Sequence, residues 1–335
     1  MNIRETMEQW ERQNLSPYAS LSSETLGRDR EEPLCDIRPA YQRDRDRILH
    51  SKSFRRLKDK TQVFLAPEGD HYRTRLTHTL EVSQIARTIA KALRMNESLT
   101  EAIALGHDLG HTPFGHAGEY ILNEICEDGF AHYKQSVRVV EILEKKGQGL
   151  NLTKEVRDGM LNHRTSGNPA TMEGKIVRFS DKIAYINHDI DDAIRGKIIT
   201  ERDIPREYAD VLGDTVKDRL NIMIHDIINN SMDRSSIFMS PDVERAMRGL
   251  REWMFEHVYR NPAAKGEEGR AQQLIVTLYE YYLKHVDELP EEYLAMMELR
   301  GEKKERVVCD YIAGMSDGYA IDRFEELFVP KGWNV

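Results

Sequence analysis

The spacing of apolar residues constrains the fold of this chain more than any other feature. Between residues 77 and 95, apolar side chains recur every three or four positions, at Val82, Ile85, Ala86, Ile89, Ala90 and Leu93. This period is typical of an amphipathic helix. Further helices are expected near residues 135–146, 176–194, 214–229, 242–259 and 271–285, and a strand only as a possible short piece at 61–65. The sequence therefore predicts an all-α fold.

Local signals indicate where some of these helices begin and end. Residues 98–101, with the sequence SLTE, are typical of a capping box that opens a helix, and Gly110 is expected to stop that helix. Pro113 and Gly115 predict a tight connection to the next helix. Residues 261–269 have the Gly, Pro and charged composition of a linker.

Composition is that of an ordinary globular protein. Of 335 residues, 40% are hydrophobic and 31% are charged, which permits a sizeable core. No apolar run approaches the roughly 20 residues needed to cross a bilayer, and residues 1–14 lack the apolar stretch of a signal peptide. Three scattered cysteines, Cys35, Cys126 and Cys309, fit reduced thiols better than disulfides or a zinc–thiolate site. Together these features predict a cytoplasmic protein.

Charge is distributed unevenly along the chain. The net charge is −9, yet residues 38–94 contain 14 Lys and Arg against 6 Asp and Glu. A basic segment inside an acidic chain indicates a local anionic ligand. A solvated helix face with many ion pairs, as in the DRDR sequence at residues 44–47, explains the same count equally well.

One short segment narrows the function most. His107 and Asp108 are adjacent within residues 106–111, His78 lies upstream and Asp181 lies downstream. Two imidazoles and two carboxylates suit a divalent first-row ion and leave positions for water and a phosphate oxygen. Asp181 follows an apolar stretch, so we expect its carboxylate in a buried setting, where a cation is its natural companion.

Taken singly, each of these residues has a more ordinary explanation. A His beside an apolar face is more often structural, and a mid-helix Asp is more often paired with Arg or Lys. Three more histidines in a short stretch, His111, His116 and His132, favour a metal site. We therefore interpret the chain as a metal-dependent phosphohydrolase.

Other polar residues are spaced so that they share a helix face. His116 and Glu119 are three residues apart and can form a proton-transfer dyad, although an acidic residue near a helix N-terminus is also favourable for the helix itself. Arg75 precedes His78 by three residues, so its guanidinium is expected near the metal, where it suits bidentate phosphate binding. On another predicted helix, three residues at intervals of four share one face, and these are Asp181, Tyr185 and Asp189.

Three motifs resemble those of HD-domain proteins. Their sequences are RLTHT at 75–79, GHDLGHTPFGHAGE at 106–119 and SDKIAY at 180–185. More narrowly, the motifs are similar to those of deoxyguanosine triphosphate triphosphohydrolases and their dNTP-hydrolysing relatives, with a likeness that extends over residues 41–315. The resemblance implies an HD helical core with additional N-terminal and C-terminal helical segments. It also implies one divalent ion per active site, bound by His78, His107, Asp108 and Asp181.

The resemblance further implies roles for individual residues. The catalytic residues would be His111, His116, Glu119 and His132. The substrate-binding residues would be Gln62, Arg75, Lys182, Tyr185 and Asp189. Lys182 would contact phosphate, Tyr185 would face the sugar and could exclude a 2′-hydroxyl, and Asp189 would bind the 3′-hydroxyl. From the residues alone, a surface role for Gln62 is almost as well supported. The family commonly has Asn after the residue matching His132, whereas this chain has Tyr133, so different local contacts are expected there.

The expected reaction is attack of water on the α-phosphorus of a dNTP, which releases a deoxynucleoside and inorganic triphosphate. The metal, which could be Mn, Mg, Fe, Co, Ni or Zn, would lower the pKa of the water. An HD-type 5′-nucleotidase or cyclic-nucleotide phosphodiesterase is a first alternative, and a nucleotide-sensing or single-strand-binding protein is a second. An allosteric dNTP or single-stranded nucleic acid is a further possible ligand.

Other enzyme classes lack their signatures in this sequence. No GxxxxGK[ST] sequence occurs, which excludes a P-loop ATPase, and no GxSxG sequence marks a nucleophilic serine. We expect an N-terminal helical arm with the basic segment at 1–72, the HD catalytic core at 73–196 and a C-terminal helical region at 197–335. The resemblance favours a homo-oligomer.

Overall fold

The computed structural model describes residues 2–62, 73–259 and 267–331, and within these ranges all regular structure is helical. The one strand-type contact in the described ranges is an isolated bridge between Thr61 and Thr74. The prediction of an all-α fold with helices on both sides of an HD core is therefore confirmed. Residues 63–65 of the possible short strand and residues 261–266 of the predicted linker lie outside the described ranges.

The helices are numbered in chain order. The first ten are α1 Ile3–Asn14, α2 Ala40–Leu49, α3 Lys52–Arg56, α4 Arg75–Ala92, α5 Glu97–Gly106, α6 Gly115–Ile125, α7 His132–Arg138, α8 Glu144–Gly147, α9 Lys154–Asn162 and α10 Met172–Arg195. The others are α11 Arg206–Leu212, α12 Val216–Ser231, α13 Pro241–Met254, α14 Glu268–Lys284, α15 Glu291–Arg300, α16 Lys304–Ala313 and α17 Asp317–Phe328. Turns of π-helix follow α7 and α13, at Val139–Leu143 and Phe255–Tyr259.

Local capping places both ends of α5 differently from the prediction. The Asn96 side chain accepts hydrogen bonds from the backbone N–H groups of Ser98 and Leu99 at 3.1 and 3.2 Å, so Asn96 caps the helix in place of the predicted box at 98–101. The helix ends at Gly106, before the predicted stop at Gly110. The segment that carries His107 and Asp108 is therefore a turn that follows α5.

Two apolar cores organise the helices. The first is built from α2, α4, α5 and α9–α13, and its buried members include Ile85, Ile103, Ile176 and Leu250. The second joins α6 to α14–α17 through residues such as Leu122, Ile275, Tyr282 and Val308. Within the first core, α4, α5 and α10 all contact one another. Because these three helices carry or adjoin the HD motifs, their packing brings the motifs together.

Ion pairs neutralise several of the positive side chains in the basic segment at residues 38–94. Arg43 and Arg47 contact Glu32 at 3.4 and 2.6 Å, and Arg38 contacts Asp46 at 2.9 Å. This pairing favours the ion-pair explanation of the local positive charge for these residues.

The cysteines are free thiols. Cys126 and Cys309 are buried with their sulfur atoms 2.8 Å apart, whereas Cys35 is half-buried. Among the described residues, no helix combines the length and apolar character needed to span a membrane.

Candidate active site

The active-site loop, residues 107–114, is held by close packing against α7. The Gly110 N–H donates to Ser136 Oγ at 2.9 Å, and Ser136 Oγ donates to the His107 carbonyl at 2.7 Å. A Cβ atom at Gly110 would lie only 2.1 Å from the Ser136 nitrogen, so the approach of α7 requires glycine. This packing fixes the backbone that carries His107 and Asp108.

Residues of the C-terminal region hold the other side of the loop. The Asp317 carboxylate accepts hydrogen bonds from the N–H groups of Thr61 and Phe114 at 3.0 and 2.9 Å. The buried Lys60 ammonium donates to the His111 carbonyl, and to the last carbonyl of α16 at 2.8 Å. Phe114 has φ 61°, a conformation that is uncommon outside glycine. The loop conformation thus depends on partners from α16 and α17.

The four predicted metal ligands converge. His78 Nε2 lies 3.2 Å from Asp181 Oδ1, and His107 Nε2 lies 3.7 Å from the same oxygen and 3.5 Å from Asp108 Oδ1. His78, His107 and Asp108 each offer a ligand atom within 4.8 Å of the others. Metal–ligand bonds of about 2.0–2.2 Å place ligand atoms at comparable separations around one ion. A second group with the same spacing, made of Asp108, His111 and His132, adjoins the first.

The donor chemistry of this cluster fits a cation. His107 Nδ1 contacts the Ala104 carbonyl at 2.6 Å, so in the neutral ring Nδ1 carries the proton and Nε2 has a free electron pair for a metal ion. His107 Nε2 is buried and has no hydrogen-bond partner among the described residues. Burial raises the pKa of Asp108, but His111, His107 and Arg75 lower it to a net value well below its ordinary range. An ionised carboxylate and an unpartnered imidazole nitrogen are what a divalent ion requires.

Arg75 links the cluster to the segment around residue 62. Its guanidinium is buried, donating from Nη1 to Asp108 Oδ2 at 2.9 Å and from Nη2 to the Gln62 carbonyl at 3.2 Å. The Gln62 side-chain oxygen is also buried and has no partner among the described residues. Gln62 is therefore a buried residue, and the surface alternative for it is wrong.

Glu119 pairs more closely with His132 than with His116. Its carboxylate lies 2.8 Å from His132 Nδ1 and 3.6 Å from His116 Nδ1, and the His116 side chain is 74% exposed. Burial lowers the pKa of His132, but the bond to Glu119 raises it, and the net shift is upward. His111 stacks on His132 with ring centroids 4.1 Å apart. Glu119 and His132 thus form the stronger dyad, and His116 lies at its outer edge.

A cavity of about 470 Å³ opens beside these residues. The predicted site residues that line it are Gln62, Arg75, His78, Asp108, His111, His116, His132, Asp181, Tyr185 and Asp189. Lys182 does not line it. The Lys182 ammonium lies 5.6 Å from the centre of the Phe179 ring, and burial lowers its pKa to about 8.

Asp189 has one satisfied and one unsatisfied oxygen. Oδ2 accepts a hydrogen bond from the Tyr259 hydroxyl, whereas Oδ1 is buried without a partner among the described residues. Burial raises the pKa of Asp189 to about 6, against the opposing effect of the bond from Tyr259. The hydroxyl of Tyr185, one turn earlier on α10, is likewise buried without a partner in the described ranges.

Sequence reasoning missed several residues that line the cavity. His163 Nε2 lies 3.3 Å from His132 Nε2, and burial lowers its pKa to about 4. Arg164 donates to the Tyr133 hydroxyl at 2.7 Å, so Tyr133 faces an arginine at this edge. The adjacent His163 and Arg164 directly after α9 are the sequence signal that could have indicated them. Tyr259 and Arg251, from the segment after residue 240, carried no such signal.

Residues 75–186 match the HD domain, and residues 237–326 match the phosphohydrolase-associated domain. A "deoxyguanosinetriphosphate triphosphohydrolase-like protein" of Caldanaerobacter subterraneus subsp. tengcongensis is 56% identical, covering 99% of this chain and 98% of the relative. A protein of the same name from Desulfatibacillum aliphaticivorans is 48% identical, covering 98% and 99%. Among solved structures, a hypothetical protein from Aquifex aeolicus has a TM-score of 0.48 at 20% identity, covering 86% of this chain and 68% of that chain.

Proposed function

The chain belongs to the deoxyguanosinetriphosphate triphosphohydrolase-like family of HD-domain proteins, and on this basis we propose that it hydrolyses deoxynucleoside triphosphates to deoxynucleoside and inorganic triphosphate. At the coarser level the chain is an enzyme, a metal-dependent phosphohydrolase. The proposal rests chiefly on one observation. His107 Nε2, which has no hydrogen-bond partner in the described part of the chain, converges with the carboxylates of Asp108 and Asp181, whose pKa values the neighbouring histidines lower despite burial. The cavity beside them is also lined by Tyr185 and Asp189, each with a buried oxygen that lacks a partner among the same described residues.

His78, His107, Asp108 and Asp181 would hold the ion. A bound divalent ion would lower the pKa of water and screen negative charge on the α-phosphate. Arg75 holds the Asp108 carboxylate through Nη1 and lines the cavity, so it orients this ligand and contributes positive charge toward a phosphate.

The chemical step is hydrolysis at the α-phosphorus. Water adds its oxygen to this phosphorus and releases one proton to a base or to solvent, the bond to the 5′-oxygen of the sugar breaks, and the departing 5′-oxygen takes up one proton. We assign this proton to His132, because Glu119 stabilises the protonated imidazole at 2.8 Å. His111, which stacks on His132, and the exposed His116 complete the set of proton-transfer candidates.

Tyr185 and Asp189 would recognise the sugar. A carboxylate oxygen that is free of hydrogen bonds is a suitable acceptor for a 3′-hydroxyl, and Asp189 Oδ1 has no partner among the residues that the structure describes. Tyr185, four residues earlier on the same helix, would face the sugar and exclude a 2′-hydroxyl by its bulk. Lys182 would act on phosphate only after its side chain moves toward the cavity.

The decisive experiment incubates the purified protein with each dNTP and Mn²⁺ and separates the products by chromatography. We expect intact triphosphate and deoxynucleoside, with oxygen from H₂¹⁸O in the triphosphate. The His107→Ala variant should lose the activity, whereas His225→Ala, which removes an exposed ring on α12, should retain it. Release of only diphosphate or monophosphate would refute the proposal. Hydrolysis of dNMPs or cyclic dinucleotides in place of dNTPs would favour the HD-type nucleotidase or phosphodiesterase.

Several finer properties stay predictions. They are the identity of the ion, the base preference, the homo-oligomeric state, the cytoplasmic location, the division at residues 1–72, 73–196 and 197–335, and activation by a second dNTP or by single-stranded nucleic acid. Assays with all four dNTPs, singly and mixed, with each divalent metal test the first, second and last of these. A rate that requires mixed substrates would indicate allosteric activation.

A further inference from the structure

His78, one of the four ligands, has a polar contact on the side of its ring away from the proposed metal. Its Nε2 faces Asp181, while its Nδ1 lies 3.4 Å from Nδ1 of His188. The two rings are nearly perpendicular, with an interplanar angle of 89°. His188 is 4% exposed and lies on α10, two turns after Asp181. One edge of His78 is thus available to an ion, and the other is held by a second imidazole.

His188 is in turn held by a carboxylate. Its Nε2 lies 2.9 Å from Glu81 Oε2, and Glu81 lies one turn after His78 on α4. Arg73 lies 3.5 Å from the same oxygen and also contacts Asp191 at 2.8 Å. Glu81 is therefore anchored as a charged acceptor, between the helix that carries His78 and the helix that carries His188.

The direction of these hydrogen bonds follows from the chemistry of the groups. A carboxylate has no proton to share, so a neutral His188 is expected to hold its proton on Nε2, the nitrogen that lies 2.9 Å from Glu81 Oε2. In a neutral His188, Nδ1 is then an acceptor, which requires the proton of His78 to be on Nδ1. When an ion takes the place of the 3.2 Å contact between His78 Nε2 and Asp181, a neutral His78 that keeps its proton on Nδ1 offers an unprotonated Nε2, which is the form that binds a metal ion.

We propose that Glu81 and His188 are positioning residues that fix the tautomer and ring orientation of His78 for metal binding. This inference rests on the metal site of the proposed function. The other histidine ligand, His107, is oriented in the same way by the backbone carbonyl of Ala104 at 2.6 Å. Of the two histidine ligands, His78 is therefore the one whose orientation depends on side chains. Carboxylate–histidine–metal arrangements of this kind tune metal affinity.

The test measures Mn²⁺ binding to the chelator-stripped protein by isothermal titration calorimetry, without substrate. We expect His188→Leu and Glu81→Leu, which each remove the partner atom, to raise the dissociation constant about 10- to 100-fold, the usual effect of removing such a partner. His188→Asn should recover most of the affinity, because its amide oxygen occupies the position of Nδ1 and can accept from His78. Asp191→Asn is the matched control, since it removes a carboxylate from the same Arg73 without touching His188, and it should bind as tightly as the wild type.

Each outcome decides the question. Unchanged Mn²⁺ affinity in both His188→Leu and Glu81→Leu, with loss of binding in His107→Ala, would overturn the positioning role and leave the metal site intact. An equal loss of affinity in His188→Asn and His188→Leu would also overturn it, because the acceptor would then be irrelevant. Absence of Mn²⁺ binding by the wild type would overturn the metal site itself. Glu81 is partly exposed, so Glu81→Leu gives a reading even where a change at the buried His188 unfolds the protein.

Discussion

The proposal that Asp189 binds the 3′-hydroxyl of the sugar can be tested directly through the ionisation of its carboxyl group. Its Oδ1 atom must be an ionised acceptor to bind a 3′-hydroxyl strongly, yet burial raises the pKa of this carboxyl to about 6. A group with this pKa is about one-tenth ionised at pH 5 and about nine-tenths ionised at pH 7. We therefore expect kcat/KM for a dNTP to fall about tenfold between pH 7 and pH 5, through KM more than through kcat.

The assay compares a dNTP with its 2′,3′-dideoxy analogue across this pH range. The analogue lacks the 3′-hydroxyl, so its kcat/KM should be lower at pH 7. Its pH profile should also lack the acidic limb, which is the fall in kcat/KM that protonation of Asp189 causes below pH 7. Asp189→Asn, which keeps an amide oxygen but cannot ionise, should remove the same limb for the dNTP. Both comparisons separate Asp189 from other groups, such as His132, that titrate in the cavity.

Tyr259 gives a second and independent change. Its hydroxyl donates to Asp189 Oδ2, and this bond lowers the pKa of the carboxyl against the effect of burial. Tyr259→Phe should therefore move the acidic limb to higher pH, by about one unit if the bond to the charged carboxylate contributes about 1.5 kcal/mol. An acidic limb that is identical for the dNTP and the dideoxy analogue, and unmoved by Tyr259→Phe, would refute this account of Asp189.

Two further predictions concern the active-site loop. Lys60 has a folded-state pKa of about 7, below its ordinary value, so between pH 7 and about pH 10 the unfolded chain binds a proton that the folded chain does not. In this window, the free energy of unfolding of the wild type should therefore rise relative to that of Lys60→Met by about 1.4 kcal/mol per pH unit. Urea titrations at several pH values measure this difference. If the free energies of unfolding of the two proteins changed in parallel with pH, the prediction would be contradicted. Gly110→Ala places a Cβ 2.1 Å from the Ser136 nitrogen, so we expect it to destabilise the fold by about 1–3 kcal/mol. We also expect a lower kcat, because α7 and His132 on it would be displaced. Gly269→Ala is the control, since a Cβ there meets nothing within 4 Å, and it should change neither stability nor kcat.

The sequence predicted which polar residues come together better than it predicted the contacts around them. Residue type and motif resemblance pointed to His78, His107, Asp108 and Asp181, which the structure brings close to one another, while their role as metal ligands stays a prediction. The partner of Glu119 was harder to predict from the sequence, because the interval of three residues favours His116. His132 comes closer to Glu119 only through the packing of α7 beside α6. Helical spacing describes neighbours on one helix, and it contains no information about contacts between helices.

The same limit explains the residues that were not predicted. His188 belongs to none of the residues predicted for the site, and its contact with His78 depends on α10 lying against α4. Tyr259 reaches Asp189 from a π-helical turn 70 residues later in the chain. The ends of α5 were misplaced for a local reason, because Asn96 competes successfully with the 98–101 segment as the N-terminal cap.

The bonds from Asp317 and Lys60 have a consequence for shortened forms of the protein. A fragment that ended at residue 196 would include every proposed ligand, but the N–H groups of Thr61 and Phe114 would lose their acceptor and Lys60 would lose one of its two. Each donor stranded in this way costs about 1–3 kcal/mol if it stays buried, so the loop would rearrange to reach water. A minimal catalytic fragment must therefore extend through α17, and a truncation library should show activity vanishing before the HD motifs are reached.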